Sequence, residues 1–404
     1  MEAKELNSYR LVTDDLYWVG VDDHRLALFE NMHPIQEGVS YNSYMLLDEK
    51  TVLLDTVDWS MGQDFFDNVE SLLNGRKLDY IIVNHMEPDH AATLGEMMLH
   101  HPEATIVSNA KAVQFMKQFG FAVEGKTQVI KEGDILDTGS HKLTFVMAPM
   151  VHWPEAMVTY DTTNGALFSA DAFGTFGALN GRLFNDELLF DRDWLDEARR
   201  YYTNIVGKYG NNTQKLLKKA AGLDIKFICP LHGPVWRSDF NYFIDKYDLW
   251  SRYEPEKEGV MIVYGSMYGH TEAAVAELAA KLSAKGMNHM KVFDVSKQHV
   301  SYLIANAFKY SHIVLASVTY NLGIFPPMAA FLDDMKALNL QNRKVSIIEN
   351  GTWAIKSGDK MQEKIDSMKN MTLVGDRVTI QSAMTAENEA QLDALADAII
   401  ASMK

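Results

Sequence analysis

After Gly259 the chain settles into a fixed rhythm, in which the apolar runs GVMIVYGS, MKVFDVS, HIVLASVT, KVSIIEN and TLVGDRVTI are each followed by a helix-like stretch. The first of these helices covers 271–285 with alanine and leucine at helical spacing, and the last runs from Ala386 to the C-terminus on the stripe AxLxxLAxAII. Strands separated by crossovers of this length pair in parallel, because parallel neighbours need a connection of a dozen or more residues. Five such units between 259 and 404 are the size of a five-stranded, doubly wound parallel sheet.

Just ahead of it, WSRYEPEKEG (250–259) breaks the periodicity with charge and proline. A chain of 404 residues, at about 150 per domain, is expected to hold more than one, and the break divides it into 1–252 and 259–404. In the first part YNSYMLL, TVLLDTV, KLTFVMA and AMVTYD read as strands, paired as hairpins about turns such as LDEK and DTTNGA. Interleaved stretches such as AATLGEMMLHH and AKAVQFMKQF read as helices. The mixture predicts packed sheets with outer helices.

Charge narrows the partners. Lys plus Arg is 38 against 54 for Asp plus Glu, a formal net charge of −16 that repels phosphate backbones and anionic lipid. Nucleic acid and membrane are therefore not expected partners. The single cysteine, Cys229, leaves no intrachain disulfide, CxxC zinc ribbon or cysteine-ligated cluster. The opening MEAKELNSYR lacks the apolar core of a signal peptide, and no uncharged apolar run approaches membrane-spanning length, so a cytoplasmic location is expected. The 22 methionines read as adaptable core filling.

The buried-type strand Ile81-Ile82-Val83-Asn84 runs directly into His85-Met86-Glu87-Pro88-Asp89-His90. A loop at a strand tip aims alternating side chains at one point, and Pro88 stiffens the turn. One such histidine is more often a packed residue than a ligand. Four ligand-type residues in six positions reverse that preference. Further candidates stand at other strand ends: His152 before Trp153-Pro154, Asp171 after ALFSA, and His232 in ICPLHGP. Together they make seven ligands, enough for two metals with Asp171 bridging. Glu87, Asp89 and Asp171 bring three negative charges to four neutral imidazoles, and carboxylate in place of imidazole hardens a site toward iron over zinc.

A second constellation follows the strand GVMIVYG, where Ser266-Met267-Tyr268-Gly269-His270-Thr271 leads into a helix. Hydroxyls, a small residue and free helix N–H groups suit a phosphate monoester where no lysine is offered. Neither GxxxxGK[ST] nor GxGxxG is present. Ser317-Val318-Thr319-Tyr320-Asn321-Leu322-Gly323 and Asn350-Gly351-Thr352-Trp353 follow the third and fourth strands, at the same carboxyl edge. A ring-stacking aromatic and backbone amides there fit a flavin.

HMEPDH, APMVHWPE, FSADAFG and PLHGP, in that order and spacing, resemble the metallo-β-lactamase fold, with Asp55 in LLDTVD matching its early site-organising aspartate. The common zinc-hydrolase version reads HxHxDH, and Glu87 departs from it. The later loops resemble short-chain flavodoxins with FMN, Val318 and Leu322 departing from the family's SPTxNNG. The two together, covering almost the whole chain, resemble the flavodiiron proteins. The fold this implies is an N-terminal metallo-β-lactamase-like αββα sandwich (α+β) followed by a flavodoxin-like doubly wound five-stranded parallel sheet (α/β).

That likeness implies that His85, Glu87, His152 and Asp171 bind one iron, and that Asp89, His90, Asp171 and His232 bind the other. It implies that 266–271 hold the FMN phosphate while 319–323 and 350–353 border the isoalloxazine. The reaction implied is reduction of dioxygen to water, of nitric oxide to nitrous oxide, or both. His24 in DDHRLALF matches a histidine near the pocket in some relatives and is the candidate for a hydrogen bond or proton there, an exposed loop histidine being the alternative. Also implied is a head-to-tail homodimer, with a tetramer as the larger alternative. No CxxC pair follows the flavodoxin-like part, so an external donor is expected: a rubredoxin, a flavoprotein reductase or reduced coenzyme F420. The competing reading is a zinc hydrolase with a flavodoxin-like docking module, and a third is an electron carrier with a degenerate metal domain.

Overall fold

The computed structural model describes residues 8–403. Two compact units emerge: one holds the described residues up to Tyr202 together with Asn211–Tyr247, the other holds Thr203–Gly210 and the chain from Asp248 onward. No single cut in the chain separates them, because Thr203–Gly210 is tied into the second unit. There the Tyr253 hydroxyl donates to Gly207 O at 2.9 Å, and Asn204 Nδ2 donates to Ser301 O at 3.2 Å.

The first unit contains two mixed sheets. One orders its strands Arg10–Leu11, Leu16–Trp18, Tyr44–Leu47, Thr51–Leu54, Tyr80–Ile82, Thr105–Asn109 and Thr127–Ile130, antiparallel in its first half and parallel in its second. The other runs Ile135–Asp137, Lys142–Met147, Met157–Asp161, Ala166–Phe168 and Phe227–Cys229, parallel only at its last pair. Thr51–Leu54, Met157–Asp161 and Ala166–Phe168 are buried at every residue, as strands covered on both faces must be. Asn84 joins the sheets: its side chain donates to Asp55 Oδ2 at 2.7 Å, accepts from Thr159 Oγ1 at 2.7 Å, and its carbonyl accepts from Met157 N.

The expected helix over AATLGEMMLHH is broken into Pro88–Ala91 and Leu94–His100. Thr93 causes the break, its Oγ1 exchanging hydrogen bonds with the backbone of Val57 instead of leaving the helix to propagate.

In the second unit the sheet order is Met290–Asp294, Lys257–Gly265, Tyr310–Tyr320, Arg343–Gly351, then a fifth position shared by Met371–Leu373 and Val378–Gln381, all parallel. This is the five-stranded doubly wound order. Alternate residues serve opposite faces: Met261, Val263, Ile313 and Leu315 join one apolar cluster, Val260, Ile262, Val314 and Ala316 the other. The run TLVGDRVTI, expected as one strand, is interrupted where Gly375 takes φ +72. No described helix is long and apolar enough to cross a membrane.

Candidate metal centre and flavin pocket

Asp55 organises the loop after Tyr80–Ile82. It sits at φ 56, fully buried, and its carboxylate accepts from Asn84 N at 2.6 Å and His85 N at 3.3 Å. Burial pushes it up to about 6 against those hydrogen bonds. Glu87 stands at the N-cap position of the short helix that Pro88 opens, its side chain free of any capping bond, and His90 on that helix turns inward, fully buried.

Two donor sets result, each with its ligand atoms within 4.8 Å of one another: His85, Glu87, His152 and Asp171 in one, Asp89, His90 and His232 in the other. Asp171 divides its carboxylate between them. Its Oδ2 lies 3.1 Å from His85 Nε2 and 3.1 Å from His152 Nε2, while its Oδ1 lies 3.3 Å from His90 Nε2 and 3.8 Å from His232 Nε2. Glu87 Oε2 accepts from His152 Nε2 at 2.8 Å, and Asp89 Oδ2 faces His232 Nε2 at 3.1 Å.

All four imidazoles therefore present Nε2 to the centre. Two are held that way from behind: His85 Nδ1 donates to Glu155 Oε1 at 2.9 Å, and His232 Nδ1 to Ser40 O at 2.7 Å. Burial alone would lower His152, but hydrogen bonds to Asp171 and Glu87 hold it up at about 10. Asp171 is held well below the carboxylate range, burial being overcome first by His85 and then by His152. Asp89 Oδ1 and Asp171 Oδ1 remain buried without a hydrogen-bond partner among the described residues. Orphaned carboxylate oxygens beside inward-facing imidazole nitrogens are a donor set short of cations.

A cavity of about 470 Å³ opens onto Glu87 and Asp89, walled by Leu26, Leu28, Phe29 and Tyr41. His24 does not border it and is exposed. The reason is local: Asp23 Oδ1 accepts from Arg25 N and Leu26 N, a tight turn that brings Leu26 rather than His24 to the wall. Glu30 lines the cavity instead, pushed up to about 8 by burial and then by the charge of Glu87.

In the second unit a cavity of about 610 Å³ is lined by Ser266, Met267, Tyr268, His270 and Thr271, by Val318 to Leu322, by Asn350 to Trp353, and by Ser382. Three expected residues stand behind the lining. Gly269 closes the first turn at φ +91 and donates from N to Ser266 Oγ at 3.1 Å; Ser317 Oγ accepts from Phe325 N; Gly323 pairs with Tyr320 in a small hairpin. Tyr268 and Trp353 are 85% and 74% exposed, so each has a free face for a flat ring.

Sequence reasoning missed four residues. Ser382 was findable, since the fifth strand ends at the same edge as the others. Glu155 stood within APMVHWPE but carried no ligand spacing. Glu30 and Tyr201 had no local signal; the Tyr201 hydroxyl is buried without a hydrogen-bond partner among the described residues, near enough to Asp171 and Asp89 for their charges to add to burial in raising it well above the phenolic range.

Residues 39–233 match the ODP family beta lactamase, and residues 262–387 match flavodoxin. The chain is 31% identical over 360 residues to the anaerobic nitric oxide reductase flavorubredoxin of Salmonella arizonae, covering 88% of this chain and 74% of that protein. Among solved structures, the rubredoxin oxygen:oxidoreductase of Desulfovibrio gigas superposes with TM-score 0.92 at 27% identity, over 98% of each chain. The flavodiiron protein of Giardia intestinalis does so with TM-score 0.88 at 25% identity, over 98% of this chain and 97% of that one.

Proposed function

Because the chain belongs to the flavodiiron proteins, we propose that it is an oxidoreductase that reduces dioxygen to water, nitric oxide to nitrous oxide, or both. In this reading two irons are held in the first unit, one by His85, Glu87, His152 and Asp171 and the other by Asp89, His90, Asp171 and His232, and FMN is held in the second. The observation that carries it is the division of Asp171 between two donor sets, each facing inward-turned imidazole nitrogens. When bound, the irons polarise the diatomic and the flavin returns electrons to them.

The chain's own residues do the rest. Glu155 and Ser40 keep two rings turned inward. Leu26, Leu28 and Phe29 give a small neutral gas an apolar approach. Tyr201 Oη holds a proton in a buried position beside the centre, where reduction consumes protons. Dioxygen needs four electrons and nitric oxide coupling two, so two irons and one flavin match either demand. Electrons come from a separate donor: a rubredoxin, a flavoprotein reductase or reduced coenzyme F420. A head-to-tail dimer brings the flavin of one subunit to the irons of the other, and the working place is the cytoplasm.

The test is metal and flavin analysis of protein from iron-supplemented cells, then anaerobic mixing of the reduced protein with each gas separately. About two irons and one FMN per chain, with rapid reoxidation by either gas, is the expected result. Two zincs, with no gas reduction after iron loading, would leave the hydrolase reading standing instead.

A further inference from the structure

Among the described residues the flavin pocket is lined by no lysine, arginine, aspartate or glutamate, and His270 is the one lining side chain able to gain a positive charge. A phosphate monoester carries about −1.5 to −2 charges near neutrality, and the chain around it is acidic at −16. His270 opens the helix His270–Ala284, is exposed, and makes no hydrogen bond or ion pair among the described residues.

Apart from Glu387 and Glu389, the charged groups named on neighbouring elements are engaged elsewhere. On the same helix Glu272 accepts from Tyr264 Oη of Lys257–Gly265, and Lys281 pairs with Glu277 and with Asp393 of the adjacent Ala386–Ser402, which itself opens with Glu387 and Glu389. Asp294, ending Met290–Asp294, pairs with Lys297. Beyond Trp353, Lys356 pairs with Asp359, and beside Ser382's strand Arg377 does the same. Tyr310–Tyr320 and Arg343–Gly351 reach the pocket with neutral side chains.

We propose that His270 binds the FMN phosphate as an imidazolium and makes FMN retention pH-dependent, supplying the charge that the rest of the pocket withholds. This rests on the FMN reading above. Histidine gains its proton between about pH 8 and 5, and an anion bound beside it favours the charged form. Linkage then requires the dianion to bind more tightly as the pH falls through the upper part of that range, above the phosphate's own second pKa of about 6. The helix N–H groups and Ser266 contribute at every pH. Riboflavin, which lacks the phosphate, gains nothing from the protonation.

The experiment uses the full chain stripped of FMN, titrated with FMN and with riboflavin by flavin fluorescence at pH 8.5, 7.5 and 6.5. The wild-type Kd for FMN is expected to fall about three- to tenfold from pH 8.5 to 6.5. It should stay level in His270→Asn and be tight and level in His270→Lys, while riboflavin shows no trend in any of them. An equal FMN slope in His270→Asn, or an equal slope for riboflavin, would overturn the assignment with the FMN reading intact. Failure of the wild type to bind FMN at any pH would overturn the FMN reading itself.

Discussion

Replacing Glu155 with alanine separates the metal donors from what holds them in place. Glu155 Oε1 accepts from both His85 Nδ1 and Met86 N, each at 2.9 Å, and its side chain is wholly buried. Truncation strands the Met86 N–H, at about 1–3 kcal/mol, and empties the space of the carboxyl arm, at about 2 kcal/mol more. A stability loss of about 3–5 kcal/mol is expected in the metal-free protein. Freed behind, the His85 ring loses its fixed direction, and a lost orienting partner costs about 10–100-fold in metal affinity. Glu155→Gln keeps an oxygen for both donors and should lose far less of each. Chelator competition under anaerobic conditions reads the affinity, and urea unfolding of the metal-free proteins reads the stability. If Glu155→Ala unfolded early yet held metal as tightly as the wild type, Glu155 would be packing alone and the positioning argument would fail.

Asp171→Ala removes the group shared by the two donor sets, so iron content should fall below one per chain and gas reduction should cease, with FMN content unchanged; full turnover in that variant would sink the diiron reading. Gly233, next to His232, sits at φ +77, and an added Cβ would meet Thr175 Oγ1 at 2.2 Å; Gly233→Ala should cost about 3 kcal/mol in urea unfolding and reduce metal retention. His141 lies between Asp161 at 2.6 Å and Asp15 at 2.8 Å. Burial opposes its charge, but Asp161 and Asp15 raise its pKa. That stabilisation is complete below the unfolded imidazole value near 6.5 and is lost as the pH rises through the raised folded one, so the gap between wild type and His141→Gln in metal-free unfolding should be wider at pH 6 than at pH 9. A gap that widened with pH would refute the pairing.

What the sequence disclosed follows from how far each feature depends on contacts between distant segments. The second unit was legible because each strand and its helix are contiguous, and the carboxyl-edge loops sit wherever strands end. HMEPDH was legible for the same reason: one turn carries four of the donors. His152, Asp171 and His232 were reachable only as isolated residues at strand ends, and their meeting depends on two sheets facing each other through Asn84. Tyr201 and Glu30 approach the centre across chain distances no local pattern encodes. His24 shows the converse, since its neighbour Asp23 bends the backbone by a hydrogen-bond choice that composition does not announce.

The donors of the metal centre run from His85 to His232, whereas the flavin loops begin at Ser266. Synthesis proceeds from the N-terminus, and domains fold as they emerge. A ribosome that has released residue 232 from its tunnel has delivered every metal ligand while most of the flavin-binding sheet is still untranslated. The centre can therefore take up its ions on a nascent chain, and closing it clamps together segments nearly 150 residues apart. Cells starved of iron would then accumulate chain that is empty of metal yet still carries FMN, because the flavin pocket draws no residue from the metal centre.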